Sequence, residues 1–381
     1  MPPRLSRVAF CDSRSTCDHR ATSSTRSPGP PQDSVEAKHS KVEIAEALTK
    51  ILYGGRSLCG VGGRYITLRG GGSKRVVRLG QELGGLRALG VGRGDRFAIM
   101  TLNSPEYLEM YHAAFLGGGV VNPLNLRFAP KELAYVLRDS GTEVCFVDAV
   151  FAPLIDKVKD EGGLEHVVLV GPGDVPHKVR YEDLLASSPH VVPDEGEESD
   201  PVMLMYTGGT TGLPKGVLLD QRAEMLNAYH VLMRLRMNRD SVSYVQTPMF
   251  HAASMFSVLG GPALGAHTVV QPMFEPTAVM NAVEKYSPTV TVMVPTMIGL
   301  TMAHADFRPS GLGSFTDLVY GASPMPQALL ERLLALYPGM NIWQGYGMTE
   351  SSSVICMLGP DEHRKGGKYL RAAGSPFLGV V

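Results

Sequence analysis

The sequence predicts an α/β protein with two doubly wound α/β subdomains and a small β-rich part. Short β-rich runs alternate with helical runs from about residue 42, and the alternation restarts after a polar, acidic linker at 187–200. The chain has 381 residues, of which 44% are apolar, so it can bury two or three hydrophobic cores. These observations favour sheets of mostly parallel strands with helices packed on them.

In the first half, the β-rich part is predicted as a strand pair at 65–68 and 76–79. A buried strand at 96–101 precedes a helix that has Ser104 as its N-cap and Pro105 at its first position. A strand followed by a helix is the repeating unit of a parallel sheet. The further elements predicted in this half are a helix ending at Gly141, a strand at 142–148 and a strand at 167–171.

In the second half, a strand at 202–206 runs into a loop rich in glycine and threonine. Another strand is predicted at 289–294. Strands at 316–320 and 341–343 are connected by a helix at 326–337, and a glycine follows within two residues of each strand. Because ligands of open α/β sheets bind beyond the carboxyl ends of strands, we expect the binding site after these last two strands.

Charge and cysteine content exclude several classes of protein. The 36 basic and 37 acidic residues nearly cancel, which predicts no nucleic-acid partner and leaves only peripheral membrane contact open. The five cysteines are scattered without a CxxC pair, which argues against a disulfide scaffold or a zinc site and favours a cytoplasmic location. The longest apolar stretch, 252–274, is interrupted by glycines, a proline and His267, so it predicts buried core and not a membrane span.

Residues 1–40 differ from the rest of the chain, because arginines stand among serine, threonine and proline with few large apolar side chains. This composition predicts a disordered leader. A transit peptide is the less favoured alternative, since Asp12 and Asp18 are acidic and the segment lacks an amphipathic stripe. An upstream start site would give the same composition.

The strongest functional signal is YTGGTTGLPKG at 206–216, directly after a predicted strand. Glycines allow backbone N–H groups to face an anion, threonine hydroxyls add donors, and Lys215 supplies a charge for the outer phosphates. The motif is not a Walker loop, because Pro214 precedes the lysine and a strand follows it. The predicted phosphate-binding residues are Thr207, Gly208, Gly209, Thr210, Thr211 and Gly212.

This motif resembles the signature of the adenylate-forming superfamily, which comprises acyl-CoA synthetases, luciferases and peptide-synthetase adenylation domains. Three further motifs, TPMFHAAS at 247–254, YGASPMP at 320–326 and QGYGMTE at 344–350, follow in the order of that family. Four ordered motifs are far more specific than one. The resemblance covers about residues 42–381 and implies the large N-terminal AMP-binding domain of an acyl-CoA synthetase, which we assign to 41–381.

The resemblance also implies where a nucleotide lies. Gly321, Ala322 and Ser323 match the segment that lines adenine and ribose, and Tyr346 matches the ring that stacks on the base. The residues around this ring that match the same segment are Gln344, Gly345, Gly347 and Met348.

Catalytic roles follow from the same resemblance. Thr349 matches the hydroxyl that holds the α-phosphate, and Glu350 matches the carboxylate that holds Mg²⁺, a cation that prefers oxygen ligands. Lys215 is the further catalytic candidate. His251 matches the position that borders the acyl pocket, and FHAAS offers no acid to pair with an α-ammonium group, which favours a substrate without one. The apolar run at 252–264 is predicted either to line this pocket or to be core.

The implied reaction is ATP-dependent activation of a carboxylic acid, most simply a fatty acid, to an acyl adenylate, followed by thioester formation with coenzyme A. Loading of an acyl carrier protein is the alternative for the second step. The chain ends without the later Thr-Gly-Asp segment and the small C-terminal lid domain of the family, so we expect weak activity from this polypeptide. A catalytically inactive nucleotide-binding protein is therefore a further alternative.

Overall fold

The structure is a computed structural model that describes residues 66–68, 72–173, 175, 178–193, 196–208 and 212–380. The predicted leader at 1–40 lies outside these ranges, as do Gly209, Thr210 and Thr211 of the phosphate-binding motif. Within the described ranges, no helix is long and apolar enough to cross a membrane.

The strands found in the described residues are β1 (Ile66–Leu68), β2 (Arg96–Met100), β3 (Val120–Pro123), β4 (Val144–Asp148), β5 (His166–Val170), β6 (Val179–Arg180), β7 (Pro201–Thr207), β8 (Lys215–Asp220), β9 (Val242–Val245), β10 (His267–Val270), β11 (Val290–Val292), β12 (Asp317–Gly321), β13 (Asn341–Met348), β14 (Ser353–Leu358) and β15 (Ser375–Pro376). The α-helices are α1 (Gly72–Ala88), α2 (Pro105–Ala113), α3 (Pro130–Ser140), α4 (Ala152–Gly162), α5 (Tyr181–Ser187), α6 (Gln221–Leu235), α7 (Gly261–Ala263), α8 (Pro276–Tyr286), α9 (Pro295–Ala303), α10 (Gln327–Leu336) and α11 (Pro360–Lys365).

The first sheet has seven strands in the order β6-β5-β4-β2-β3-β7-β8. All its pairs are parallel except β7 with β8, which form an antiparallel hairpin at the edge. Successive residues of β2 face opposite sides of the sheet and belong to two different cores. Phe97 packs with α1 and α2, whereas Ala98 packs with α3 and α4. Helices therefore cover both faces, which confirms the predicted doubly wound arrangement.

The second sheet has eight strands in the order β1-β10-β9-β11-β12-β13-β14-β15. The pairs from β10 to β13 are parallel, and β1, β14 and β15 are antiparallel additions. Leu318 of β12 faces a core shared with α8, α9 and α10, whereas the adjacent Val319 faces a core shared with α6. This sheet is also doubly wound, and the last residue of β12, Gly321, pairs with Gly345 of β13.

The prediction of a strand at 76–79 was wrong, because these residues lie within α1. Leu79, Leu83 and Leu86 are all buried, and their spacing of four and three residues places them on one helical face. This longer periodicity outweighed the local β-propensity of the two valines. The predicted partner, β1, pairs instead with β10 of the second sheet.

The predicted start of α2 and the predicted end of α3, two helices that pack on the first sheet, are confirmed. The Ser104 hydroxyl caps α2 by accepting a hydrogen bond from the Tyr107 N–H, and Pro105 occupies the first helical position. Gly141 ends α3 in a left-handed conformation with φ of 59°, where glycine has no steric penalty. These local signals set the loop between β2 and α2 and the loop between α3 and β4.

Candidate functional site

The carboxyl ends of β12 and β13 form the floor of a cleft. Gly321 and Gly345 are paired in register, and a Cβ atom added to Gly321 would lie 2.5 Å from the Gly345 carbonyl oxygen. Only glycine permits this close approach of the two strands. The following residue, Ala322, has a φ of 62°, a strained conformation for a residue with a side chain and one that is concentrated at functional sites.

The cleft contains a cavity of about 970 Å³, at the upper end of the ~300–1,000 Å³ that is typical of small-molecule sites. The ring of Tyr346 is 54% exposed, so one of its faces is available for stacking against a planar ligand. Met348, at the end of β13, is 59% exposed. The predicted residues that line the cavity together are Gly321, Ala322, Ser323, Gln344, Gly345, Tyr346 and Gly347.

Sequence reasoning missed a buried polar network behind this floor. The Tyr320 hydroxyl lies 3.0 Å from Gln344 Oε1 and 3.0 Å from His363 Nε2, and His363 Nδ1 lies 2.6 Å from the Gly359 carbonyl oxygen. Burial lowers the pKa of His363 and raises the pKa of Tyr320 to about 12, so both groups are neutral near pH 7. The neutral network fixes the side chain of Gln344 at the cavity.

The described parts of the phosphate-binding motif form the β7–β8 hairpin. Thr207 and Lys215 are opposite each other, and the Thr207 hydroxyl lies 3.4 Å from the Lys215 carbonyl oxygen. Lys215 is exposed. A Cβ atom built on Gly208 or Gly212 would have no described atom within 4 Å. A larger side chain would therefore not clash with the described residues at either position. Backbone freedom or access of a ligand to the backbone is the remaining reason for these glycines.

The base of the hairpin is anchored to the first sheet. The Tyr206 hydroxyl donates a hydrogen bond of 2.6 Å to Asp139 Oδ2 at the end of α3. A Cβ atom on Gly216 would lie 3.1 Å from the Tyr206 ring, so the ring packs on the backbone of β8. The motif therefore projects from a fixed base.

The turn Thr349–Ser351 follows β13 and lies against β8. Thr349 is half-buried and Glu350 is exposed, and the Ser351 hydroxyl accepts a hydrogen bond from the Met348 N–H at 3.2 Å. The fold thus brings the strand that carries Lys215 next to the turn that carries Thr349 and Glu350.

The donor set at this turn fits Mg²⁺ held largely by phosphate. In the described residues, no three His, Cys, Asp or Glu side chains converge to hold a metal ion. Mg²⁺ in nucleotide sites commonly takes one or two protein carboxylates and completes its octahedron with phosphate oxygens and water. Glu350 is exposed, so its carboxylate is accessible to a phosphate-bound cation.

His251 is the first residue after a tight bend that follows β9. Its Nδ1 accepts a hydrogen bond of 3.2 Å from the Ala253 N–H, so the neutral ring carries its proton on Nε2. The residue keeps an exposed edge, and desolvation by the surrounding protein lowers the pKa of the ring. The turn Ala252–Ser254 lies against β14, the strand that pairs with β13, and His251 itself is not among the residues that line the cavity.

The apolar run at 252–264 is largely core. Met255, Val258 and Leu259 are buried against the first sheet, and Phe256 is buried in the core between the second sheet and α6. Burial in two cores favours the prediction that most of this run is hydrophobic core and does not line the acyl pocket.

Glu224 of α6 is a second feature that sequence reasoning missed. The residue is 1% exposed, and burial together with the charge of Asp220 raises the pKa of its carboxyl to about 8, while the neighbouring Ser352 hydroxyl opposes this shift. Ser352 and Ser353 both have positive φ, at 56° and 89°. Neither carboxylate oxygen of Glu224 has a hydrogen-bond partner among the described residues, so an unpaired buried acid lies near the strained backbone that follows the turn Thr349–Ser351.

We expect Glu224→Gln to make the fold less sensitive to pH. The folded-state pKa of about 8 lies above the ordinary value of 4.5, so wild-type stability falls as pH rises between these values. The gain from Gln should grow from near zero at pH 4.5 to about 4–5 kcal/mol at pH 9, because the carboxyl pKa rises from 4.5 to about 8 and one pKa unit corresponds to about 1.4 kcal/mol. Urea unfolding at both pH values measures it, with Glu165→Gln on an exposed surface as the control. A gain that is equal at both pH values would contradict the assignment.

A sequence model of the AMP-binding enzyme family matches residues 74–381. The chain belongs to this family. The match covers every element of the cleft described above, including the β7–β8 hairpin and the turn Thr349–Ser351. The predicted family, from the four motifs and their order, is confirmed.

Relatives within the AMP-binding family act on different acids. Feruloyl-CoA synthase of Amycolatopsis sp is 34% identical over 287 residues, which cover 75% of this chain and 55% of that protein. The long-chain-fatty-acid–CoA ligase of Thermus thermophilus is 33% identical over 288 residues, covering 72% of this chain and 50% of the ligase. The chain spans about half the length of these curated relatives.

The fold of the AMP-binding family is also found among solved structures. The inhibitor-bound N-terminal domain of FACL13 from Mycobacterium tuberculosis aligns with a TM-score of 0.70 and 26% identity, covering 80% of this chain and 75% of that domain. The similarity extends over both sheets, so the α/β architecture is that of an N-terminal domain of this family.

Proposed function

We propose that the cleft binds ATP and activates a carboxylic acid as its acyl adenylate. The observation that carries this proposal is the glycine floor along β12 and β13, which borders the cavity. The turn Thr349–Ser351 follows β13 directly and contacts the strand that begins with Lys215, although neither lines the cavity. A planar base fits beside the exposed ring of Tyr346, and the backbone at Gly321 to Ser323 borders the same cavity.

In the first step, a carboxylate oxygen of the substrate attacks the α-phosphorus of ATP. The bond from this phosphorus to its bridging oxygen breaks, and pyrophosphate leaves with the electron pair. Lys215 stabilises charge on the outer phosphates, and the Thr349 hydroxyl donates to the α-phosphate. Glu350 would hold Mg²⁺, which would supply charge neutralisation at the phosphate oxygens. The protein forms no covalent bond to the substrate, so alignment and charge stabilisation account for catalysis.

In the second step, the thiol of coenzyme A attacks the acyl carbon, and AMP leaves. The names of the relatives support coenzyme A as the acceptor. We propose a fatty or related acid without an α-amino group as the substrate, because FHAAS at 250–254 offers no carboxylate for an ammonium group. His251 borders the acid, and its neutral ring places no charge beside the substrate carboxylate.

Pyrophosphate release tests the proposal. The purified chain is incubated with ATP, Mg²⁺ and a panel of short to long fatty acids and cinnamic-type aromatic acids, and pyrophosphate is measured with and without coenzyme A. We expect release that depends on the acid and is lost in Lys215→Ala. Release that is independent of the acid, or the absence of release from a folded chain, would contradict acid activation.

A further inference from the structure

Asn103 joins the first sheet to the segment that carries His251. It follows β2, is 5% exposed, and its side-chain amide donates to the Thr247 carbonyl oxygen at 3.0 Å and to the Gln271 carbonyl oxygen at 3.1 Å. Its Oδ1 accepts a hydrogen bond of 2.8 Å from the Met249 N–H. One buried side chain thus satisfies backbone groups beyond the ends of both β9 and β10.

Tyr111 of α2 holds the other side of the same residue. Its hydroxyl is fully buried and donates a hydrogen bond of 2.7 Å to the Met249 carbonyl oxygen. Met249 is itself 0% exposed, so side chains of the first sheet bind both its N–H and its C=O. Removing either partner leaves a buried backbone group unsatisfied.

The hydrogen bonds that Asn103 and Tyr111 make to Thr247 and Met249 together form a clamp. The segment held by this clamp leads directly to His251. The His251 N–H donates to the Pro248 carbonyl oxygen at 3.0 Å, and the buried Ser254 hydroxyl donates to the same oxygen at 2.9 Å. Residues 247–254 are therefore a compact turn whose position relative to the first sheet is set at Met249. A displacement there moves His251 relative to β14 and the cleft.

We propose that Asn103 and Tyr111 are positioning residues that fix His251 at the acid-binding side of the cleft. The inference rests on the proposed function for the role of His251, but the clamp itself is a property of the fold. Neither residue touches the nucleotide cavity. Loss of the clamp is therefore expected to lower kcat/KM for the acid and to leave KM for ATP unchanged.

The chain offers a matched control in Tyr107, which stacks on Tyr111 with ring centroids 5.3 Å apart. Both rings are buried, and the hydroxyl of Tyr107 makes no hydrogen bond within the described part of the chain. Tyr111→Phe and Tyr107→Phe each delete one buried hydroxyl at the same interface. Only Tyr111→Phe removes the bond to Met249.

Hydrogen–deuterium exchange of the peptide spanning 245–254, followed by mass spectrometry, measures the clamp without requiring activity. We expect exchange about 5–10-fold faster in Tyr111→Phe than in wild type and unchanged in Tyr107→Phe. Asn103→Asp keeps the acceptor for Met249 and loses the two donated bonds, so it should also exchange faster. In pyrophosphate release, Tyr111→Phe should lower kcat/KM for the acid about 5–10-fold with KM for ATP unchanged.

Equal exchange in the two Phe variants would overturn the clamp, whether or not the wild type is active. Faster exchange with unchanged kinetics of the acid in an active enzyme would overturn the positioning role. If the wild type releases no pyrophosphate, the proposed function fails, and the exchange result still decides whether Asn103 and Tyr111 hold the segment.

Discussion

Replacement of Glu350 by glutamine should lower acid-dependent pyrophosphate release about 10²–10³-fold, the usual effect of removing one group that stabilises charge in the transition state. Glu350 lies on the turn that packs against β8, and no other group of metal-binding side chains converges within the described residues. Glutamine keeps the size of the side chain and removes the negative charge. Mg²⁺ would then be held by phosphate oxygens and water alone.

The measurement is the initial rate of pyrophosphate release over a range of Mg²⁺ concentrations. Glu350→Gln should require more Mg²⁺ for half-maximal rate as well as show a lower maximum. Glu165→Gln removes an exposed carboxylate that is distant from Glu350 in the sequence. It serves as the control and should match wild type. A Glu350→Gln rate within twofold of wild type at every Mg²⁺ concentration would exclude this carboxylate as the metal ligand.

Gly347→Ala should reduce the unfolding free energy by more than about 3 kcal/mol, above the usual range for overpacking. A Cβ atom at this position would lie 1.6 Å from the Ser353 carbonyl oxygen, and backbone cannot yield as a flexible side chain does. The pairing of β13 with β14 is already irregular at Tyr346 and Gly347. Relief of the clash must separate these strands and displace the turn Thr349–Ser351 between them.

Gly345→Ala on the same strand is the matched control, because its Cβ would meet only methyl groups of Val354 and Val319, at ordinary distances of 3.5–3.8 Å. Gly339→Ala, with no described atom within 4 Å of its Cβ, reports the effect of the added methyl group alone. Urea unfolding of the three variants at one pH gives the comparison. Equal losses in Gly345→Ala and Gly347→Ala would show that the close approach of β14 does not govern stability here.

Local signals in the sequence were sufficient for much of the fold. The cap at Ser104, the stop at Gly141 and the end of β12 at Gly321 are all set by neighbours within a few residues. The predicted end of the next strand at 343 was wrong, because pairing with β14 extends β13 to Met348. The error at 76–79 arose where two valines suggested a strand and a longer helical period decided the outcome. Periodicity over a full helix carries more information than a four-residue run.

The candidate site likewise has a part that the sequence predicted and a part that it did not. The motif residues along β12, β13 and the following turn were found from the sequence, because each motif is contiguous. The supporting contacts were not found, because they join distant positions: Tyr320 with His363, Glu224 with Ser352, and Asn103 with Met249. A glutamate on a helix carries no local signal of burial, and its partner is set only by tertiary packing.

Equilibrium dialysis of radiolabelled ATP with Mg²⁺ tests most directly whether the cleft binds the nucleotide. Ser323→Trp would fill the cavity from its lining, whereas Leu336→Trp, on α10, adds the same ring outside the cavity lining. We expect saturable binding of one ATP per chain in wild type and Leu336→Trp, and loss of binding in Ser323→Trp. Equal binding by Ser323→Trp, or no binding by the folded wild type, would contradict the assignment of this cleft.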